Sequence, residues 1–200
     1  MNLKSKSILI LTPLIIIPIL MIGAVSFYKI KQSTEDRLNT RVATLLDQIS
    51  RHTINAEKIA KTNLRMLSDH YVIKKYATST DLVVRYDVLL PTVLSLFKNL
   101  QESMPEYNEV KYITTDGFED AYWNAGKINN IKEYIGDELY FNEILNSNEI
   151  ENTHVIYDEN TEKHSLLVTR NLIISGTSVD ANDAIPKARG YLAVLLDLSS

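Results

Sequence analysis

Cysteine is absent from this sequence of 200 residues, which excludes disulfide bonds, thiol chemistry and cysteine-ligated zinc. An excess of basic residues is also missing: 21 Lys and Arg stand against 25 Asp and Glu, so the net charge of −4 gives no nucleic-acid footprint. The six glycines form no phosphate-binding loop, and no serine or carboxylate pair stands in a catalytic pattern. We therefore expect no nucleic-acid partner, no catalysis within these residues and no cofactor.

Metal ligands are scarce as well. Two of the four histidines, His154 and His164, lie on either side of a predicted hairpin and can approach each other across it. A zinc site requires three or four protein ligands. Because no third candidate lies near this pair in the sequence, we predict that the chain holds no metal.

Charged residues are missing from the whole stretch between Ile8 and Tyr28. A helix of this length spans the hydrocarbon core of a bilayer, which is about 30 Å thick. We predict a short N-terminal tail over residues 1–7 and a transmembrane helix over residues 8–28. The alternative is a cleaved signal peptide, but the apolar run is long for one and helical sequence continues directly beyond it.

The basic residues around this segment do not favour export of the C-terminal part. Two lysines precede the segment, whereas four basic residues follow it closely: Lys29, Lys31, Arg37 and Arg41. The positive-inside rule therefore mildly opposes an exported C-terminal part. The family resemblance described below implies export, and we follow the resemblance.

Glycine and proline are absent from residues 29–77, where apolar side chains recur at helical spacing. The spacing predicts a long amphipathic helix with a heptad-like series that is interrupted at His52, Asn63 and His70. We expect one face of this helix to pair with a second copy in a homodimer. The alternative is a single helix packed against a sheet.

A second helix is predicted after a break at residues 77–81, with Thr80 or Asp81 as its cap. Pro91 lies inside this helix and either bends it or marks a start. Met104-Pro105 ends it. Residues 29–106 are thus predicted to form a helical stalk that precedes any strand.

From Tyr107 onward the periodicity changes from helical spacing to two. Val110 and Tyr112 fall on one side of a predicted strand, and Lys111 and Ile113 fall on the other. Asp116-Gly117 is a turn dipeptide, and residues 118–123 form the predicted return strand. This pattern indicates a β-hairpin.

The remaining segments predict a short helix and further strands, separated by polar loops. The helix is expected over residues 137–145, and the strands over 154–157, 165–174 and 190–198. Loops or turns are expected over residues 124–133, 158–161 and 175–187. Because the chain stops directly after the last strand, we expect that it is a fragment of a longer protein.

This order of elements resembles the extracytoplasmic Cache sensor family, and more closely the membrane-distal half of a double Cache (PAS-like) domain. The resemblance covers roughly residues 30–200. It rests on Glu109–Ile113 with Asp116-Gly117, on Tyr140-Phe141, on Tyr157-Asp158, and on Gly190–Val194 leading into Asp197-Leu198. It implies an α+β fold: after the transmembrane helix, the long amphipathic helix and the second helix, residues 107–200 form a PAS-like antiparallel sheet with a short helix.

The resemblance also implies a location and a role. The chain is expected in the bacterial inner membrane as a single-pass protein with a periplasmic or extracellular sensor domain. It would be the input domain of a signal transducer, most closely a diguanylate cyclase, with a chemoreceptor or a sensor histidine kinase as alternatives. A membrane-anchored coiled-coil interaction protein without a small ligand, and a secreted enzyme, are the other interpretations.

A small ligand is expected between the sheet and the short helix: an amine, an organic acid or an amino acid. Amino-acid-binding members carry an arginine at the start of the short helix, where this sequence has Glu138, so an α-amino acid requires Arg170 or Lys127 as a substitute. An amine read by Glu138, Asp158 and an aromatic wall is the alternative. For Trp123 a place in the core or at its rim is favoured, Tyr140 can instead pack the short helix, and for Arg170 an exposed strand position is favoured. The candidate ligand-binding residues are Tyr112, Trp123, Glu138, Tyr140, Asp158 and Arg170.

Overall fold

A computed structural model describes residues 3–124, 133–158, 163–175 and 186–197, except for the side chains of residues 3–20, 24 and 158. The chain divides into two compact units, residues 1–52 and residues 53–200. Among the residues that the structure describes, no helix has both the length and the apolar character needed to cross a membrane. Most of the predicted transmembrane segment, residues 8–20 and 24, lies outside the described side chains.

Helical elements fill the chain up to Ser103. They are α1 (Leu3–Asp69), α2 (Tyr71–Thr78), a π-helix (Val84–Leu89) and α3 (Leu90–Ser103). The prediction of one uninterrupted helix up to residue 77 was wrong, because α1 ends at Asp69. His70 adopts an extended backbone with ψ 130°, and its Nδ1 accepts a hydrogen bond from the Val72 N–H at 3.3 Å. His70 is therefore the N-cap of α2 rather than a position on the face of one long helix.

The start of the next helical stretch follows the sequence prediction. Asp81 Oδ1 accepts hydrogen bonds from the backbone N–H groups of Val83 at 2.9 Å and Val84 at 3.2 Å, which confirms Asp81 as the cap. Pro91 lies in the first turn of α3, directly after the π-helix. Proline has no N–H to donate to the carbonyl four residues earlier. The wider π-helical turn before Pro91 is compatible with this missing hydrogen bond.

The strands form one antiparallel sheet. They are β1 (Tyr107–Ile113), β2 (Glu119–Asn124), β3 (Glu151–Asp158), β4 (Lys163–Ile174) and β5 (Lys187–Leu196), in the spatial order β2-β1-β5-β4-β3. This confirms the predicted α+β class and the first hairpin. The short helix α4 (Leu139–Asn146) follows β2 in the chain. The predicted loops fall largely on residues outside the described set, namely 125–132, 159–162 and 176–185.

Each face of the sheet has its own core. One face packs on residues of α1, α2 and α3, with side chains such as Leu64, Tyr76 and Phe97 fully buried against it. The opposite face packs on α4 through Phe141 and Ile144. The alternation along β1 divides its side chains between these two faces, as the period of two predicts.

Candidate ligand-binding cavity

A cavity of about 710 Å³ opens on the face of the sheet that carries α4. Side chains from β1, β2, β3 and β5 line it, together with residues 133–138 and the first half of α4. This volume lies within the range of about 300–1,000 Å³ that small-molecule sites occupy. The cavity therefore has the size and the place in the fold that a small-ligand site requires.

Residues 133–136 are held against the beginning of β2, and this contact brings α4 over the sheet. The Glu119 N–H donates to the Glu133 carbonyl at 2.9 Å, and the Ile135 N–H donates to the Gly117 carbonyl at 2.8 Å. Gly117 has φ +83°, and a Cβ there would lie 2.7 Å from the Cα of Gly136. A side chain at Gly117 would therefore strain the turn and push residues 133–136 away from the sheet.

A buried ionic network forms the end of the cavity at β1 and β2. Lys111 Nζ lies 2.7 Å from Glu119 Oε1 and 3.1 Å from Glu109 Oε2. The Tyr122 hydroxyl donates to Glu109 Oε1 at 2.7 Å. The side chains of Lys111, Glu109 and Glu119 are 6 to 7% exposed, so they are charged groups with little access to water.

The pKa values in this network depend on burial and on the opposite charges. Burial works to lower the pKa of Lys111, but the carboxylates of Glu119 and Glu109 outweigh it and hold the pKa above its usual value. Burial raises the pKa of Glu119, and Lys111 offsets only part of this effect. Lys111 is therefore protonated at neutral pH and neutralises at most one of its two carboxylate neighbours.

Two tyrosines stand beside the network. Burial raises the pKa of Tyr140 to about 12, with the charge of Lys111 lowering it and nearby glutamates raising it further. Burial likewise raises the pKa of Tyr122 above its usual value. Both hydroxyls therefore keep their protons at neutral pH, and Tyr122 uses its proton in the hydrogen bond to Glu109.

The rim of the cavity carries further carboxylates. Glu138 is the N-cap residue of α4, yet its side chain makes no capping hydrogen bond. Glu143, one turn further along α4, lies with its Oε2 3.0 Å from His154 Nδ1 on β3. Glu133 lines the cavity from the segment before α4. The cavity is thus surrounded by acidic side chains at its mouth as well as at its buried end.

The structure brings two of the six candidate ligand residues, Glu138 and Tyr140, to the cavity wall. Tyr112 lies on the opposite face, where its hydroxyl donates to the Arg189 carbonyl and its ring meets Tyr76 edge-on at 5.6 Å. Trp123 also packs on that opposite core, with Lys98 Nζ 6.0 Å from its ring centroid. Tyr112 and Trp123 therefore contribute to the contact between sheet and helices.

Arg170 does not line the cavity. Arg170 is 17% exposed and forms an ion pair with Glu151 on the neighbouring strand, and its Nε donates to Ser68 Oγ of α1 at 3.0 Å. It is neither a freely exposed strand residue nor a cavity residue. Asp158 ends β3, and its side chain lies outside the described set, as does Lys127.

Sequence reasoning did not select most of the polar cavity residues: Glu109, Lys111, Glu119, Tyr122, Glu133, Glu143 and His154. A signal was present in β1, where Glu109 and Lys111 occupy alternate positions on the side that carries Ile113. Charged residues at core-facing positions of a strand are costly unless they are paired. Such positions are therefore candidates for a site.

The residues that the structure describes contain no group of three or more His, Cys, Asp or Glu side chains arranged to hold a metal ion. His154 contacts Glu143, whereas His164 meets the ring of Tyr157 edge-on at 5.5 Å. The two histidines that the sequence places around the hairpin thus have different partners.

Sensor domains are among the solved structures with a similar arrangement of elements. A Vibrio cholerae histidine kinase DctB sensor domain matches with a TM-score of 0.58 at 14% identity, over 82% of this chain and 57% of its own. A domain of a sensory box/GGDEF family protein from Vibrio parahaemolyticus matches with a TM-score of 0.55 at 13% identity, over 76% and 57%. The sensory domain of the Campylobacter jejuni chemoreceptor Tlp3, solved with isoleucine bound, matches with a TM-score of 0.52 at 10% identity, over 74% and 53%.

These likenesses show that the chain has the fold of these domains, and they confirm the resemblance seen in the sequence at the level of the fold. The chain spans a little over half the length of the structures it matches. No protein-family model and no curated protein sequence matches it.

Proposed function

We propose that this chain is the extracytoplasmic, ligand-sensing input region of a membrane-bound bacterial signal transducer, with residues 8–28 as its transmembrane anchor. The observation that carries the proposal is the cavity of about 710 Å³ between the sheet and α4, which is lined by buried charged and aromatic side chains. Charges buried in such a cavity are costly to keep, and perturbed ionisable groups in a cleft are typical of functional sites.

We also propose the type of output domain, the position of this chain within a longer sensor, and its oligomeric state. We favour a diguanylate cyclase, because a GGDEF-family protein is among the proteins that carry the matching fold. The match over about half of the sensor domains supports the assignment of residues 107–200 as the membrane-distal half of a double Cache domain. A homodimer through α1 is supported by exposed apolar side chains at heptad spacing, namely Leu38, Val42 and Leu45.

The mechanism follows from energetics. A ligand shifts a protein between two conformations only by its difference in affinity for them. A molecule held between α4 and the sheet would favour one packing of that sheet. Because the other face of the same sheet packs on residues of α1, a change in the sheet reaches the helix that leads toward the predicted anchor.

Ligand titration of the 200-residue chain in an uncharged detergent tests the proposal. Metabolites that bind the cavity should raise Tm in a dose-dependent way. At a free ligand concentration of 100 times Kd, binding adds about 2.7 kcal/mol to the free energy of unfolding. The Tyr140→Ala variant should lose this response. Tyr71→Ala, which removes a 70% exposed ring from α2, should keep it. No response across a broad metabolite panel would overturn the sensor assignment and favour an interaction protein.

A further inference from the structure

We infer that the cavity binds a small organic cation, an ammonium or guanidinium compound that carries no carboxylate. This inference rests on the proposed function, since it names the ligand class of the same cavity. Five glutamates line the cavity, and Lys111 and His154 are the basic side chains among the described residues that face them.

Lys111, the lysine among the described lining residues, is not available to an anionic ligand. Lys111 Nζ donates a hydrogen bond to Glu119 at 2.7 Å and forms an ion pair with Glu109 at 3.1 Å, so two carboxylates already neutralise its charge. Its side chain is 7% exposed. A ligand carboxylate would have to displace a glutamate from this lysine and would then lie beside the glutamates that remain.

The acidic rim is accessible from the cavity. Glu138 makes no capping hydrogen bond, although it stands at the N-cap of α4. Glu138 and Glu143 are exposed, and both line the cavity. A cation at the mouth can therefore approach two carboxylates without disturbing the buried network.

An independent observation comes from His154. Its Nδ1 lies 3.0 Å from Glu143 Oε2, and in the neutral tautomer that carries its proton on Nδ1 the other ring nitrogen, Nε2, is a hydrogen-bond acceptor. Nε2 is buried and has no hydrogen-bond partner within the described part of the chain. A buried acceptor without a donor is costly, and a ligand N–H group would satisfy it.

Aromatic rings complete a surface suited to a cation. Tyr122, Tyr140 and Tyr157 line the cavity, and Lys111 Nζ already lies 5.9 Å from the centroid of the Tyr122 ring. Ring faces attract organic cations, most strongly where water is excluded. Carboxylates, an unpartnered acceptor and aromatic rings thus all favour the same ligand charge.

Isothermal titration calorimetry with matched ligand pairs tests the inference on the 200-residue chain in an uncharged detergent. Agmatine is compared with arginine, and cadaverine with lysine, so that each pair differs only by the carboxylate. We expect at least one amine to bind at least about tenfold more tightly than its parent amino acid, because like charges in contact are repelled. Its affinity should fall as NaCl is raised, since salt screens the exposed glutamates.

Three variants assign the binding to the cavity. Glu138→Gln and Glu143→Gln should each weaken amine binding by about two- to fivefold, the range for an exposed ion pair. Glu149→Gln, which neutralises an exposed glutamate outside the cavity, should leave it unchanged. If an amino acid or a carboxylate binds as tightly as the amines and depends on Tyr140, the ligand class is wrong while the sensor function stands. If no compound of either charge binds, both the ligand class and the proposed sensor function are wrong.

Discussion

Glu119 and Asp120 are consecutive residues of β2, and their carboxylates bind cations on opposite faces of the sheet. Glu119 Oε1 accepts a hydrogen bond from Lys111 Nζ at 2.7 Å in the cavity. Asp120 Oδ2 accepts a hydrogen bond from Arg85 Nε at 3.1 Å on the face that packs against the helices. The Asp120 side chain is 3% exposed there. Because the two residues share a peptide bond, we expect a backbone displacement at one network to reach the other.

The Asp120 network joins the sheet to two helical segments. Besides Arg85, the hydroxyl groups of Tyr76 on α2 and Tyr86 on the π-helix donate to Asp120, each at 2.8 Å. Burial and the Asp120 charge raise the pKa of Tyr76 above its usual value, so this hydroxyl keeps its proton. The strand thus offers a short physical path from the cavity to the helices.

Lys111→Met should lower the free energy of unfolding by about 3–5 kcal/mol, because it leaves two buried carboxylates without their cation. Urea denaturation measures this change. Lys98→Met, which removes an exposed lysine 3.7 Å from Glu102, should change stability by no more than about 1 kcal/mol. Adding Glu119→Gln to Lys111→Met should recover part of the loss, and purely additive losses would contradict the network.

Tyr76→Phe should cost about 1–3 kcal/mol, because it takes a hydroxyl donor from the buried carboxylate of Asp120. Tyr71→Phe removes the same atom from a ring that is 70% exposed, and it should be nearly neutral. Chemical denaturation of the two variants provides the comparison. Equal effects would show that the Asp120 network contributes little to stability.

Titration of Glu119 should contribute to the pH dependence of the free energy of unfolding. Burial raises its folded pKa above 4.5, so between 4.5 and the folded value the native state binds more protons than the unfolded state. The stability of the unmodified chain relative to Glu119→Gln should therefore fall as pH rises through this window. The same difference for Glu149→Gln should be flat, and a relative stability that rises with pH would refute the assignment.

Val42→Lys combined with Leu45→Lys should convert a dimer into a monomer in analytical ultracentrifugation. These side chains are 54% and 57% exposed at heptad-like positions of α1, and charges there would face each other across a two-helix seam. Thr40→Lys places the same charge on the other side of the helix and should leave the dimer intact. A monomeric unmodified chain, or equal behaviour of the variants, would exclude this seam.

The strands were predictable from the sequence because their periodicity reports which side chains face a core. The alternation of Val110 and Tyr112 with Lys111 and Ile113 correctly separates the two faces of β1. The turn at Asp116-Gly117 was equally visible, since a positive φ favours glycine. The end of α1 was missed because His70 acts through its backbone and one local hydrogen bond, which leave no mark on the apolar spacing.

The cavity was less predictable because its polar residues meet through the tertiary fold. Glu143 and His154 lie on different elements, as do Lys111 and Glu119. The sequence pointed to Glu138 and Tyr140 through the family resemblance. It placed Arg170 among the candidates because it could not show Glu151 beside that arginine on the neighbouring strand.

The π-helix at Val84–Leu89 makes the length of this segment critical. A π turn holds one residue more than an α turn, and each residue of an α-helix advances by about 100° around the axis. Deleting a single residue here would restore an ordinary helix, but it would rotate Arg85 and Tyr86 relative to α3 and away from Asp120. Homologues should therefore tolerate amino-acid replacements in this turn far more readily than insertions or deletions.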